Sequence, residues 1–340
     1  MKAKDISGQA PGGKRTKLAD VIPLPAPYVV QIFPVYACNF KCGYCIFSVD
    51  KPKRGFISDK TKLELALYKR CVDEMALFPS KIKVLRFVGI GEPLLHKDIA
   101  EMITYSAEKK IAGTIELLTN GLLLTPKMSD DIIKAGLNRI VISVQGTSAE
   151  KYLQVCGTKI DFDGFMKNLD YLYKHKGNAH IYIKIVDTAL ENKEDVQRFF
   201  DIFGEFCDTI AVEHTVPIHS GIDYDKVLNK NITNVTQFGL PISDVKVCPQ
   251  PFFTMQINPD GNVVPCYSFE YPVIVGNCNN EPAHQIWKNK QFNQFRLKTL
   301  SGSGTASEAC KNCSIIKYRM FPEDDLKNCA EGLKKHFKEV

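Results

Sequence analysis

The chain has 340 residues, 44% of them hydrophobic and 24% charged, and its 44 basic and 38 acidic side chains leave a formal charge of +6. These proportions suit a soluble globular protein; no apolar run approaches the ~18 residues that cross a membrane, and a mild, dispersed positive charge argues against a nucleic-acid-binding face. Twelve cysteines in so long a chain do not suit a disulfide scaffold, so a reducing, cytoplasmic setting is expected, where close cysteine spacings point to metal.

The N-terminal stretch "MKAKDISGQAPGGKRTKLAD" is basic and rich in Gly and Pro. It lacks the ~7–15-residue apolar core of a secretory signal, and residues 1–27 are expected to form a mobile arm. Strand-like runs then follow: "YVVQIFPVY" (28–36), "KVLRFVG" (83–89), "TIELLT" (114–119), "RIVISVQ" (139–145), "IYIKIVD" (181–187) and "TIAVEHT" (209–215). Each is rich in β-branched residues and has a turn signal nearby. Helical patterns lie between them near 60–77, 96–109, 126–136, 162–175 and 193–204. Such alternation implies parallel strands joined by right-handed helical crossovers. Six strands are fewer than the eight of a closed barrel, so the fold class is α/β, a partial (β/α)6 TIM-type barrel over residues 28–220.

Period two assigns faces to these strands. Ile140, Ile142, Val144, Ile181, Ile183 and Ile185 should pack outward on helices, leaving Val141, Ser143, Gln145, Tyr182, Lys184 and Val186 inside. The same rule turns Arg86, Glu116, Glu213 and Thr215 inward and His214 outward. Polar residues thus collect on one face of strands normally covered on both sides. A ligand-holding lumen explains them; for Arg86 and Glu116, a mutual ion pair explains them equally well.

Residues 221–247 show no clear period and read as a connection; residues 248–340 form a second region. "FFTMQINPDGNVVPCYS" reads as a β-hairpin with a Pro-Asp-Gly-Asn turn, "HQIWKNKQFNQFRLKTL" as an amphipathic helix, and a final helix closes the chain. The single Trp287 is expected to fill the core of this region.

The stretch "YACNFKCGYC" places Cys38, Cys42 and Cys45 directly after the first strand. Cx3Cx2C is an unusual spacing for zinc, which in structural sites takes four ligands. It suits three corners of a cubane 4Fe–4S cluster, with the fourth iron open to a small ligand. With Tyr44 before the last cysteine, the motif resembles the signature of the radical S-adenosylmethionine (SAM) superfamily.

The resemblance implies that Cys38, Cys42 and Cys45 hold the cluster. Its open iron would bind SAM, and reductive cleavage would give a 5′-deoxyadenosyl radical that takes a hydrogen atom from substrate. "GIGEP" (89–93) is similar to the family's GGEP element, so Gly89, Gly91 and Glu92 would receive the SAM ammonium. Ile90 departs from that pattern. "TNG" and "SVQG" match two further elements and assign Asn120, Ser143 and Gln145 to the cofactor. Cys156 stands where many relatives carry an arginine, and Lys184 is expected to supply the missing charge. Cys156 is either a small buried residue or a thiol hydrogen donor.

Cys248, Cys266, Cys310 and Cys313 form a second group. By spacing alone they suit zinc or a 4Fe–4S cluster equally. Their position resembles the β-hairpin/helix extension called SPASM or, when shorter, twitch, which implies one auxiliary 4Fe–4S cluster. The arrangement is similar to that of cyclitol dehydrogenases in the family. It implies oxidation of a sugar, cyclitol or glycan carbinol, with the electron passed to the auxiliary cluster and a flavodoxin or ferredoxin as external donor. Glu213 and His214 are the candidate base or substrate contacts. The alternative is radical epimerisation or crosslinking of a ribosomally made peptide. Such maturases often carry a separate winged-helix domain, for which residues 1–27 are too few, since a folded domain needs ~50.

Overall fold

In the computed structural model, residues 2–10, 15–51, 54, 58–217, 219, 221–228, 234–267, 270–311 and 313–338 are described. The chain opens with a two-residue strand, β1 (Lys4–Asp5). The six expected strands follow as β2 (Val29–Ile32), β3 (Ile82–Phe87), β4 (Ala112–Thr119), β5 (Arg139–Ser143), β6 (His180–Val186) and β7 (Thr209–Glu213). The expected helices form as α1 (Leu65–Met75), α2 (Ile99–Lys109), α3 (Pro126–Lys134), α5 (Phe162–His175) and α6 (Lys193–Phe203).

One helix of this region was not expected, α4 (Ala149–Cys156). Its caps are nonetheless in the sequence. Ser148 Oγ accepts from Lys151 N at 3.3 Å, and Gly157 ends the helix at φ 65°, a left-handed conformation that favours glycine.

Strand order is β1-β7-β6-β5-β4-β3-β2-β8-β9-β10, an open ten-stranded sheet. β1 through β8 pair in parallel. The hairpin is β8 (Thr254–Ile257) and β9 (Asn262–Val264), turning at Gly261 with φ 84°. It is not a separate module: β8 lies beside β2, with Val29 opposite Thr254 and Ile32 opposite Ile257. β10 (Gly276–Asn277) extends the sheet antiparallel to β9.

The faces follow the pleat. Ile140, Ile142, Ile181, Ile183 and Ile185 join the large core against the helices. Inside, Val141, Tyr182 and Ala211 form a separate small cluster that Ile6 joins. The described residues 2–10 and 15–27 therefore correct the expectation of a mobile arm, of which residues 1 and 11–14 lie outside the described ones. Ala3 N bonds Gly204 O at 2.9 Å, Ile6 N bonds Ile210 O at 2.9 Å, and Ser7 Oγ accepts from Val212 N at 3.0 Å. Leu18, Ile22, Leu24 and Ala26 are buried in the main core. Arg86 and Glu116 do not line the cavity at the C-terminal ends of β5, β6 and β7. They pair with each other, and Arg139 reaches the same carboxylate at 3.2 Å.

The expected helix over 284–300 is broken in two. Asn289 caps α9 (Lys290–Leu300) by accepting from Phe292 N at 2.8 Å, after the short α8 (Ala283–Ile286). α7 (Tyr224–Leu228) lies in the connection, whose residues 229–233 fall outside the described ones. The tail holds short helices instead of one closing helix: α10 (Ser303–Ala306), α11 (Glu308–Lys311), α12 (Ile315–Arg319) and α13 (Ala330–Lys334). Trp287 is buried and donates Nε1–H to Leu24 O at 3.1 Å.

Candidate active site

The loop after β2 carries Cys38, Cys42 and Cys45 and is held by α4. Lys41 N donates to Cys156 O at 3.0 Å and Gly43 N to Val155 O at 3.1 Å, so two carbonyls at the C-terminal end of α4 fix the loop backbone. Such carbonyls have no partner within their own helix. Tyr44 OH donates to Gln145 Oε1 at 2.5 Å, and Cys42 Sγ lies 3.5 Å from the same oxygen. Asn120 Nδ2 donates to Asn39 Oδ1 at 2.7 Å and lies 4.0 Å from Cys38 Sγ. Gln145 is oriented by its own bond to Ser143 O at 3.0 Å.

Burial pushes the Cys38 thiol up to about 12, with Glu92 and Cys45 adding to the rise. Cys42 is raised by its contact with Cys156 and by burial, and it feels both Cys45 and Cys38. The three thiols therefore share one environment that disfavours thiolate in the absence of a cation. A metal centre reverses that preference by binding the deprotonated form.

The 89–93 loop is fitted tightly against the cysteine loop. Glu92 N bonds Ala37 O at 2.8 Å. Gly91 has φ 147°, and a Cβ there would fall 2.3 Å from Val35 O, so no other residue fits. Glu92 is only 2% exposed. It accepts from Leu94 N (3.0 Å), Thr119 Oγ1 (2.7 Å) and Asn120 N (2.7 Å). Burial raises its pKa despite these donors. Glu92 thus braces the turn, with less acceptor capacity left for a ligand than the sequence implies.

Ile90, the departure from the GGEP pattern, packs with Phe33, Tyr36, Ile46, Val88 and Ile315. Cys45 and Cys313 both border this apolar cluster. It therefore adjoins both cysteine groups.

A cavity opens at the C-terminal ends of β5, β6 and β7. Its wall includes Tyr44, Ser143, Lys184, Glu213, His214, Gln237 and Arg319. Lys184 is not a free cation. Its Nζ lies 2.5 Å from Glu213 Oε2. Tyr182 OH (2.9 Å) and Gln237 Nε2 (2.6 Å) donate to the same carboxylate. Burial alone would raise Glu213, but Lys184, Gln237 and Tyr182 outweigh it and hold the carboxyl below its usual range. A carboxylate so held is a weak base.

His214, expected to point outward, lines the cavity. β7 ends at Glu213, so strand parity no longer governs the next residue. Its Nδ1 is 3.0 Å from Asp187 Oδ2, and Thr215 N donates to Asp187 Oδ1 at 2.9 Å. Burial opposes ionisation of Asp187, yet the His214 and Thr215 donors keep its pKa low. Asp187, Gln237 and Arg319 were missed in the sequence. For Asp187 the signal was a carboxylate at the end of the "IYIKIVD" strand; Arg319 carried none.

In the C-terminal region, Cys248 is buried; burial, then the nearby Cys313 and Cys310, raises its pKa. Cys266 follows β9 and is half-buried. Cys156 is fully buried, donates to Tyr152 O at 2.9 Å and does not line the cavity. Among the described residues, no three His, Cys, Asp or Glu side chains already stand in a metal-ligating arrangement. The donor sets nonetheless suit iron–sulfur chemistry: three thiols on one short loop, and Cys248 close to Cys310 and Cys313 in the tail, with Cys266 the fourth expected thiol there.

Residues 32–203, just over half of the chain, match the Radical SAM superfamily, and residues 248–314 match the SPASM iron–sulfur cluster-binding domain. The S-adenosyl-L-methionine-dependent 2-deoxy-scyllo-inosamine dehydrogenase of Niallia circulans is 25% identical over 282 residues, 82% of this chain and 89% of its own length. The mycofactocin maturase MftC of Mycobacterium tuberculosis is 24% identical over 319 residues, 85% of this chain and 76% of its own. The crystal structure of BtrN in complex with AdoMet and 2-DOIA matches with a TM-score of 0.52 at 21% identity, over 84% of this chain and 92% of that one. That likeness shows the fold. Membership brings a 4Fe–4S cluster with SAM at the core and iron–sulfur binding in the tail. By its cysteine loop, its partial barrel and its extent of match, the chain belongs to the radical SAM superfamily and carries a C-terminal SPASM domain.

Proposed function

We propose that this enzyme oxidises the carbinol carbon of a small polyol, a sugar or cyclitol, to a ketone. In this reading Cys38, Cys42 and Cys45 hold the core cluster, and Cys248, Cys266, Cys310 and Cys313 the auxiliary one. When bound, these groups and SAM would supply a 5′-deoxyadenosyl radical for hydrogen abstraction and an acceptor for the remaining electron.

The observation that carries the proposal is the placement of the cavity. Its wall includes both Tyr44 of the cysteine loop and Arg319 of the C-terminal region. A substrate there would touch a residue from each cysteine-bearing region, which supports loss of a hydrogen atom followed by loss of an electron.

The chain's own residues supply the proton chemistry. His214 lines the cavity, and its Nδ1 is turned to Asp187. This contact fixes the ring and leaves Nε2 to take the hydroxyl proton; a positioned base of this kind contributes ~10²-fold or more. Glu213, already saturated by Lys184, Gln237 and Tyr182, orients Lys184 instead of acting as base. Lys184 is then a hydrogen-bond donor to substrate oxygen. Peptide maturases among the relatives favour the second reading, radical modification of a peptide.

The test is anaerobic. Reconstituted protein should hold about eight irons per chain, the content of two 4Fe–4S clusters. It should release 5′-deoxyadenosine on addition of SAM and reductant, and convert polyols to ketones. Turnover of a precursor peptide, with polyols inert, would favour the maturase reading.

A further inference from the structure

Arg319 is the residue of this cavity that the polyol reading leaves without a task. It comes from α12 in the C-terminal region, and ordered contacts bring it there. Gln237 N donates to Tyr318 O at 2.8 Å and His214 N to Gln237 O at 2.8 Å, so a backbone chain runs from the end of β7 to the residue before Arg319. Ser314 Oγ bonds Pro217 O at 2.5 Å, and Phe238 stacks on Phe321 with centroids 5.5 Å apart.

The other ionisable groups named around the cavity have partners. Lys184 is opposed by Glu213 at 2.5 Å, and His214 faces Asp187 at 3.0 Å. Among the described residues Arg319 has no carboxylate partner; its guanidinium lies over the Tyr267 ring at 4.9 Å, and its Nε is buried without an acceptor. Gln237 Oε1 is likewise buried without a donor. Buried polar groups in native proteins are almost always paired, so an unmet donor and an unmet acceptor on two residues that line one cavity point to a missing ligand. The planar guanidinium matches carboxylate or phosphate oxygens in a two-pronged fashion that lysine cannot.

We infer that the substrate carries an anionic oxygen group, a carboxylate or a phosphate, that docks on Arg319, with a neighbouring hydroxyl donating to Gln237. This rests on the polyol reading and narrows it to acidic or phosphorylated polyols. The C-terminal region thereby contributes to substrate selection as well as to cluster binding.

The experiment uses the anaerobically reconstituted full chain with SAM and three probes sharing one hexose framework: glucose, glucuronate and glucose 6-phosphate. Binding is followed by calorimetry. At least one anionic probe should bind tenfold or more tighter than glucose; which one does separates the carboxylate source from the phosphate source. Arg319→Gln should erase that advantage while leaving glucose binding as it was, and Arg319→Lys should retain part of it. Equal binding of all three probes by the wild-type protein overturns the inference, as does an anion preference that survives in Arg319→Gln. Should the Gln variant not fold, the wild-type comparison still decides. Release of 5′-deoxyadenosine by the wild-type chain is scored separately. A silent core sinks the functional reading; an active core with no anion preference sinks only this inference.

Discussion

The strands β5, β6 and β7 do opposite things at their two ends. Toward the floor, their inward side chains Val141, Tyr182 and Ala211 pack on one another, and Ile6 joins them. Toward the top, the next inward positions are Ser143, Lys184 and Glu213, which line a cavity. Near the floor both cations have a carboxylate, Glu116 being shared between Arg86 and Arg139. At the top Arg319 has no carboxylate partner among the described residues. The pleat alone gives both ends the same orientation, so the difference lies in residue type and in which distant segment covers each end. The N-terminal segment covers the floor; the connection and α12 cover the cavity. Stability should accordingly answer to the floor and chemistry to the top, except where the two meet at Tyr182, whose hydroxyl supports Glu213 from below.

The sharpest break between the two ends comes from the cysteine loop. Cys38→Ala should abolish 5′-deoxyadenosine formation and lower iron from about eight to about four per chain, as read by iron assay and chromatography, with little change in unfolding of the iron-free chain. Lys184→Ala tests where the comparison blurs. It strands a buried carboxylate and should cost about 3 kcal/mol in urea unfolding, the low end for a broken buried pair. The pH dependence follows. Glu213 and Asp187 have folded pKa values below their unfolded ones, so their stabilisation is present above the unfolded carboxylate range of ~4 and is lost as pH falls through the lower folded values. The cost of Lys184→Ala should therefore be largest near neutral pH and shrink as pH falls through the low wild-type value of Glu213. His214→Gln should slow ketone formation about 10²-fold while SAM cleavage continues, which a product-to-5′-deoxyadenosine ratio measures. Smallest is the floor: Ile6→Ala should cost about 1 kcal/mol, a modest value for a half-buried side chain, and leave SAM cleavage intact. A loss of cleavage there would couple the two ends and break the comparison.

Much of this was legible because period two is a local property. The inward stripe of Tyr182, Lys184 and Glu213 could be read directly, as could Trp287 in the core. What escaped was set by contacts distant in sequence or by the ends of elements. β1 is only two residues long, and its pairing with Thr209 and Ile210 leaves no periodic trace. His214 was assigned outward because parity was carried past the last strand residue. Helix α4 had both its caps in plain sight at Ser148 and Gly157, but its apolar pattern is short. The pairing of β8 with β2 and the arrival of Arg319 over the cavity depend on how the C-terminal region docks, which no local pattern encodes.

The pairing of β2 with β8 bears on how the protein is made. β2 leads straight into the cysteine loop, yet one of its flanks is completed only by a strand that leaves the ribosome long afterward. Until then β2 presents an open edge, the kind that invites pairing with other chains. The nascent barrel is thus exposed to aggregation until β8 has been made and has paired. A recombinant piece ending before Cys248 would keep that bare flank permanently, so the two regions are expected to be inherited and expressed together.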